Sequence, residues 1–395
     1  MYKRVLLTFV LLISIILLPL HAAAAPASIS THAEAAALID VHSGRILYSQ
    51  SGDKEMRVAS TTKIMTAIIA IEQGRLSDMV KVGKNAAGKE GSSLYLKLGE
   101  EMSLHNLLYG MMLRSGNDAA IAIAEHIGGS IEGFAYLMNE KASLLGMAHT
   151  HFTNPSGLDD GKEMKHYSSA NDMAKLTAYA LKNPVFRDIV KTKTKKAPNP
   201  NANWDYSWSN KNKMLNLYEG ADGVKTGYTK LAYRCLVSSA TRGNQQLAAV
   251  TLNDGNDWAD HAKLLDYGFE TYPLKQVLQK GETVSGTNWV AGRSFAYPFH
   301  GDEQKQMISK VVSHDPKSLE YRTGERGLLT FYLGEDHPIG TIPLYEPESP
   351  GLNKTEQSVF EYKPTEVHMS AFSKATDAFR TVIASLFMML GSGME

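Results

Sequence analysis

Cysteine is almost missing from this chain: Cys235 is the single one among 395 residues. That excludes an internal disulfide framework, a thiolate zinc cage and a redox pair. A surplus of either charge is missing as well, because 41 Lys and Arg face 41 Asp and Glu. Without a basic stripe there is no electrostatic footprint for nucleic acid, and none is expected as a partner. The sequence holds no repeat at a solenoid period and no low-complexity tract. What remains is an ordinary globular composition, 43% hydrophobic and 21% charged, long enough for about two to three domains of roughly 150 residues. Any chemistry has to be carried by Ser, Lys, His or carboxylate side chains, and no cofactor or metal is implied.

The two ends read differently from the middle. Lys3 and Arg4 precede an apolar stretch from Val5 to Pro19, followed by Ala22 to Ala25 ahead of Pro26. Basic, apolar and small regions in that order make residues 1–24 a secretory leader, cut after Ala24 so that Pro26 does not become the first mature residue. An uncleaved anchor is the alternative, although the stretch falls short of the ~20 residues a span needs. The protein is therefore expected to be exported, to the outer face of the cytoplasmic membrane or beyond it. Near the other end, Phe372, Ala375, Phe379, Val382, Ile383, Leu386 and Leu390 recur at spacings of three and four, with Lys374, Asp377 and Arg380 on the opposite side. This predicts a C-terminal amphipathic helix suited to a membrane surface. Docking on the protein's own core is the other reading. The Pro, Glu and Ser cluster from Glu346 to Pro350 separates it from the body and favours the membrane.

In the body, Ala35 to Tyr48 alternates around His42-Ser43-Gly44, the pattern of two strands on a tight turn. Ser60 through Ile71 has helical periodicity, and Ser103 ahead of Leu104, Leu107, Leu108 and Met111 predicts an N-capped helix. Asp118 to Ile127 is helical up to Gly128-Gly129, and Ala170 to Leu181 gives another helix before Pro184. Short β-favouring runs follow at Gly223 to Thr229, Cys235 to Ala240 and Gln246 to Leu252. Strands at both ends with helices between them imply an α+β domain, one sheet built from both ends with helices packed on it. From Pro273 to Pro347 only short strands are expected, Phe295 to Phe299, Ile308 to Val312, Leu328 to Leu333 and Gly340 to Tyr345. The organisation is thus a leader at 1–24, a main domain at 25–272, a small all-β domain at 273–350, and a linker with the amphipathic helix at 351–395.

Three short motifs could carry chemistry. Ser60-Thr61-Thr62-Lys63 places a hydroxyl and an amine one turn apart at the start of an apolar helix. The Lys can deprotonate the Ser only if burial or a nearby cation keeps it neutral, and the helix N-terminus offers N–H groups to an oxyanion. A capping Ser with a surface Lys is the plain alternative, and Ser51-Gly52-Asp53-Lys54 repeats the letters in a turn-like segment. Ser115-Gly116-Asn117 sits between two apolar helices, where a hydroxyl can relay a proton and an amide can bond a peptide backbone; it also suits a simple helix-to-helix turn. Lys225-Thr226-Gly227, leading into Tyr228, combines a cation and a hydroxyl fit for a carboxylate with a Gly that lets a ligand approach the main chain. On a strand, Lys225 and Thr226 face opposite ways unless the backbone twists, and Arg322-Thr323-Gly324 shows how easily such triplets arise.

In this order the three motifs resemble those of the penicillin-recognising serine D-alanyl-D-alanine carboxypeptidases, the low-molecular-mass penicillin-binding proteins of peptidase S11 type. Phe152 to Leu158, leading to His166 through Met173, and Asn210-Lys211-Asn212 with Leu215 ahead of Asp222-Gly223, are similar to the same family. The resemblance covers about residues 30 to 270 well and the β domain loosely, and its texture is nearest to exported enzymes of sporulating Gram-positive bacteria. It implies a β-lactamase/transpeptidase-like fold and a reaction on the peptidoglycan stem peptide, with β-lactam antibiotics as covalent inhibitors. Carried over by position, it makes Ser60 the nucleophile, Lys63 its base, and Ser115 the proton relay to the departing D-alanine. Asn117 would bond the substrate backbone, Lys225 and Thr226 would hold the terminal carboxylate, with Gly227 between them and Tyr228, and the N–H groups of Ser60 and Tyr228 would form the oxyanion hole. His166 matches a family position and reads as a buried structural residue. A β-lactamase would need an E-x-x-L-N pattern that is absent. A β-lactam sensor that never turns over stays as the alternative, against which the intact Lys63, Ser115 and Lys225 speak. A metal site on His149, His151 and His166 lacks an acidic partner at ligand spacing.

Overall fold

The computed structural model describes residues 29–353 apart from residue 160. The leader and the amphipathic terminal helix lie outside the described residues. Among the described residues no helix is long and apolar enough to cross a membrane.

The body opens with β1 (Ala35–Asp40) and β2 (Ile46–Gln50), then a 3-10 turn (Ala59–Thr62) that runs directly into α1 (Lys63–Gln73). The short strands β3 (Met79–Lys81) and β4 (Glu101–Ser103) precede α2 (Leu104–Arg114), α3 (Asn117–Gly128), α4 (Ile131–Leu144), α5 (Ala170–Leu181) and α6 (Pro184–Lys191). A small hairpin, β5 (Thr194–Ala197) and β6 (Tyr206–Ser209), and one turn of helix, α7 (Met214–Leu217), lead to β7 (Ala221–Thr229), β8 (Tyr233–Arg242), β9 (Gln245–Leu252) and α8 (Asp257–Thr271).

Local chemistry explains these boundaries. The Asp40 carboxylate accepts the Ser43 N–H at 2.8 Å and closes the β1–β2 turn. Ser103, Ser130 and Ser169 cap α2, α4 and α5 through their hydroxyls, and Gly129 ends α3 in the left-handed region at φ 73°. Pro184 stops nothing. It opens α6 at its first position, with Asn183 accepting the N–H groups of Val185 and Phe186. The sequence reading passed over α6, α4 and α8, as well as β3 to β6, because charged residues interrupt their apolar spacing or their runs are too short to show a period.

The five-stranded sheet has the order β2-β1-β9-β8-β7 and is antiparallel throughout. Strands from both ends of the domain therefore meet at β1 and β9, as the pattern of strands, helices and strands predicts. Its register decides what faces the helices. Ala37 pairs with Val250, Val250 with Val237, and Val237 with Lys225. Since Ala37, Val250 and Val237 all belong to the core shared with the helices, Lys225 projects to that same side. Gly227 follows in the row of Cys235 and Leu252, while Thr226 and Tyr228 alternate to the other face. The β7 bulge lies upstream, between Ala221 and Gly223, so the alternation of Lys225 and Thr226 stands. Through this core runs α1, buried at every position from Lys63 to Ala70, as an all-round apolar helix must be.

Beyond α8 come β10 (Leu274–Leu278), β11 (Val290–Ala291), β12 (Phe295–Pro298), β13 (Met307–Ser313), the single-turn α9 (Leu319–Arg322), β14 (Glu325–Leu333) and β15 (Pro338–Tyr345). A four-stranded sheet, β11-β15-β14-β13, and the pair β10-β12 enclose a separate core in which the Phe295 and Phe331 rings stack 4.4 Å apart. The expectation of strands alone is corrected by α9, whose Ser318 cap accepts the Tyr321 N–H. Arg45 of the main body reaches across to this β-rich part. Its guanidinium donates to both Glu303 carboxylate oxygens at 2.6 and 2.7 Å and to the Pro298 carbonyl at 2.8 Å.

Candidate active site

Ser60 lies in the 3-10 turn rather than in the α-helix proper, half-buried, and directly after Ala59, whose φ of 46° is left-handed. A non-glycine residue held there stores strain at the entry to the helix. One turn on, Lys63 has no exposed surface. Its Nζ is 2.9 Å from Ser60 Oγ, 2.8 Å from Asn117 Oδ1 and 2.7 Å from the Ser156 carbonyl. Burial, then the neighbouring Lys225 and Lys211, hold its pKa well below the usual lysine range, with Asp118 pulling the other way.

The Ser115-Gly116-Asn117 corner is what the sequence pattern describes, a tight turn between α2 and α3, with buried Ser115 in the left-handed region at φ 65°. Asn117 is engaged at both ends of its amide. Nδ2 donates to the Glu90 carbonyl at 2.8 Å, which turns Oδ1 toward Lys63. The adjacent Asp118 accepts the N–H groups of Leu94 and Leu96 and the Ser93 hydroxyl, tying the 93–96 loop beside the site.

The third segment, β7, is the outer strand of the sheet, so one side of its main chain is not used by a neighbouring strand. It passes against the Ser60 turn. A methyl group added at Gly227 would sit 3.1 Å from the Ser60 nitrogen and 3.2 Å from that of Thr61, which is the physical reason for glycine here. Lys225 is buried, donates to the Thr226 carbonyl at 2.8 Å, and is brought to a pKa of about 7 by burial and then by Lys211. Thr226 is half-buried, and the Tyr228 ring points to solvent at 64% exposure. The arrangement brings a half-buried hydroxyl within 2.9 Å of a fully buried amine, with a second buried lysine, Lys225, near enough for its charge to lower that amine's pKa.

A contributor that sequence reasoning missed is the main chain of Ser156. Asn154 Oδ1 accepts from Ser156 N and Oγ, both at 3.1 Å, and from Gly157 N at 2.8 Å. This Asx turn aims the Ser156 carbonyl at Lys63 and the Pro155 carbonyl at Thr66 Oγ1, 2.7 Å away. Gly157, at φ 76°, packs so closely that a Cβ would lie 1.8 Å from the Ala59 carbonyl oxygen. The signal was the Asn-Pro-Ser-Gly turn composition, which names a turn and not its target. His166 is structural in its contacts: Nδ1 accepts the Thr153 N–H at 3.1 Å, leaving Nε2 to donate to Thr62 Oγ1 at 2.8 Å. The duplicate Ser51/Lys54 pair lies on a turn, with Lys54 exposed and paired to Glu34 at 2.8 Å. Among the described residues, no group of three His, Cys, Asp or Glu could hold a metal ion.

A model of the peptidase S11 family, D-alanyl-D-alanine carboxypeptidase, matches residues 21–256. The chain is 34% identical over 301 residues to the D-alanyl-D-alanine carboxypeptidase DacF of Bacillus subtilis, covering 74% of this chain and 73% of that one. To DacC of Escherichia coli it is 37% identical over 331 residues, 79% and 80% of the two chains. Among solved structures, penicillin binding protein 5 of Haemophilus influenzae aligns with a TM-score of 0.65 at 28% identity, over 80% of this chain and 97% of that one. The carboxypeptidase DacD of Francisella tularensis aligns at 0.61 and 27% identity, over 81% and 94%.

Proposed function

The chain belongs to the peptidase S11 family of D-alanyl-D-alanine carboxypeptidases and is a serine carboxypeptidase acting on peptidoglycan; on that premise we propose that it releases the terminal D-alanine of stem pentapeptides through an ester on Ser60. β-Lactams, which its family binds, acylate the same hydroxyl by opening of the lactam C–N bond and block it.

In the proposed reaction Ser60 Oγ attacks the carbonyl between the two D-alanines as its proton passes to Lys63 Nζ. The N–H groups of Ser60 and Tyr228 face the developing oxyanion, and the closeness of Gly227 to the Ser60 nitrogen supports that pairing of turn and strand. Lys225, with Thr226 beside it, holds the terminal carboxylate. Asn117, beside Lys63, bonds the substrate backbone. The C–N bond then breaks, the leaving amine takes the proton from Lys63 by way of Ser115, and water hydrolyses the ester. The observation that carries this reading is the 2.9 Å contact between Ser60 Oγ and a fully buried lysine.

The test is incubation with a pentapeptide ending in D-Ala-D-Ala, measuring free D-alanine and trapped acyl-enzyme separately. Ser60→Ala is expected to lose both D-alanine release and labelling by a fluorescent penicillin. Release retained by that variant overturns the assignment of the nucleophile, and wild-type acylation without release would make the protein a sensor. We propose further that residues 1–24 direct export and that the amphipathic segment within 351–395 rests on the membrane surface, on the sequence pattern given above. Truncation at Pro364 is then expected to free the protein from membranes with catalysis intact, and an unchanged membrane fraction overturns that part.

A further inference from the structure

Beside the Ser115–Asn117 corner lies a cleft of about 770 Å³ for which the reaction has no use. One wall is the loop from Leu94 to Lys97, and the other is the connection of the β5–β6 hairpin. Tyr95 and Trp204 line it from opposite walls, and at 84% and 73% they are the two most exposed large apolar side chains among the described residues. Two such rings sharing one cleft mark a binding surface rather than scattered exposure. Leu94, Ala202 and Tyr206 add to the lining, and its polar part is neutral in sum: the amides of Asn199, Asn201 and Asn203, with Lys97 and Asp205 balancing each other.

The cleft is preformed. Glu100, itself buried, accepts from Asn201 Nδ2 at 2.7 Å and Tyr206 Oη at 2.9 Å on one wall, and from the Lys97 N–H at 3.0 Å on the other. It is also tied to the reaction centre, since the Leu94 N–H donates at 2.9 Å to Asp118, the neighbour of Asn117. Tyr95 is held in the left-handed region at φ 64°, a strained conformation for an aromatic residue.

We propose that this cleft binds the glycan strand to which the stem peptide is attached, so that the enzyme recognises polymer-linked peptide better than free peptide. The proposal rests on the carboxypeptidase reading above. A sugar ring presents an apolar C–H face that stacks on an aromatic ring, and a rim of hydroxyl and N-acetyl groups that need partners able both to donate and to accept, as amides do. A charged peptide side chain would call for a net opposite charge, which the lining lacks.

Kinetics on a free pentapeptide and on the same pentapeptide carried by a peptidoglycan glycan oligomer test this. Trp204→Ala and Tyr95→Ala are each expected to raise KM for the glycan-linked substrate about tenfold, with kcat and all free-pentapeptide parameters unchanged, and Trp204→Phe to recover most of the loss. Unchanged KM on the glycan-linked substrate, or an equal loss on both substrates, overturns the proposal. Glycan strands stripped of peptide should bind the Ser60→Ala protein in calorimetry and bind more weakly once Trp204→Ala is added; no binding to the first overturns it too. If wild-type enzyme releases D-alanine from neither substrate, the carboxypeptidase reading falls, while the stripped strands still decide what the cleft holds.

Discussion

Lys63 Nζ meets Ser60 Oγ at 2.9 Å, and its two other partners, Asn117 Oδ1 and the Ser156 carbonyl, can only accept. An ammonium would spend one N–H on each of the three. A neutral amine has two N–H groups and one lone pair, so the two carbonyl-type oxygens take both hydrogens and the lone pair is left facing the serine hydroxyl. The geometry thus aims the base at its proton once burial and neighbouring cations have removed the charge.

Lys63→Arg keeps a cation at the site and removes the possibility of neutrality. It is expected to lower kcat/KM by about a hundredfold to ten-thousandfold, and to slow acylation by a fluorescent penicillin in parallel. An acylation rate equal to wild type would show that the proton goes elsewhere.

Activity should be bell-shaped in pH, from two lysines with opposite requirements. Lys63 works unprotonated, so activity falls as pH drops through its depressed pKa. Lys225 holds a carboxylate only as an ammonium, so activity also falls as pH rises past its value of about 7. The Lys211 charge lowers both groups. Lys211→Gln is therefore expected to move both limbs of the kcat/KM profile to higher pH, and a profile that stays in place would remove Lys211 from the causes of the two shifts.

The Asn154 turn should matter for stability as well as rate. Asn154→Ala strands two N–H groups and a hydroxyl that its oxygen now accepts, at a cost of about 1–3 kcal/mol for the buried donors. Denaturant unfolding would show a lower midpoint, accompanied by reduced kcat because the Ser156 carbonyl loses its aim at Lys63. Full activity with the lower midpoint would separate the turn from the chemistry.

Arg45 clamps the β-rich part to the main body through a bidentate pair with Glu303 and contacts over the Tyr272 and Tyr297 rings, 5.1 and 5.3 Å away. Arg45→Ala is expected to destabilise the protein by about 2–3 kcal/mol while leaving kcat/KM on a free pentapeptide unchanged, since no residue of the proposed reaction comes from β10 to β15. Loss of activity in step with stability would mean that the β-rich part supports the site.

Much of this was legible in the letters. The turn at His42-Ser43-Gly44, the cap chemistry of Ser103 and Gly129, the helical spacing behind Ser60, and the short strands around Lys225 each depend on residues close in sequence. The helix α8 was not, because its buried face is itself half polar: Asp257, Asp260 and His261 lie there with Leu264, Leu265 and Gly268, and only docking shows that His261 meets Ser238 and Thr251 of the sheet. The role of Asn154 was not, since a turn motif says nothing of what its carbonyls meet.

Local sequence determined the pieces: an alcohol and an amine one helical turn apart, a turn between two helices carrying an amide, and a lysine two residues ahead of a glycine on a strand. Tertiary structure decided which of two identical Ser-x-x-Lys spacings buries its amine and lowers its pKa, because Lys54 ends on the surface beside Glu34 and Lys63 ends in the core beside Lys225 and Lys211. The proton affinity of an amine follows from lost water and from charges brought close by distant segments, and neither quantity exists until β7 is in register and packed against the turn that holds Ser60.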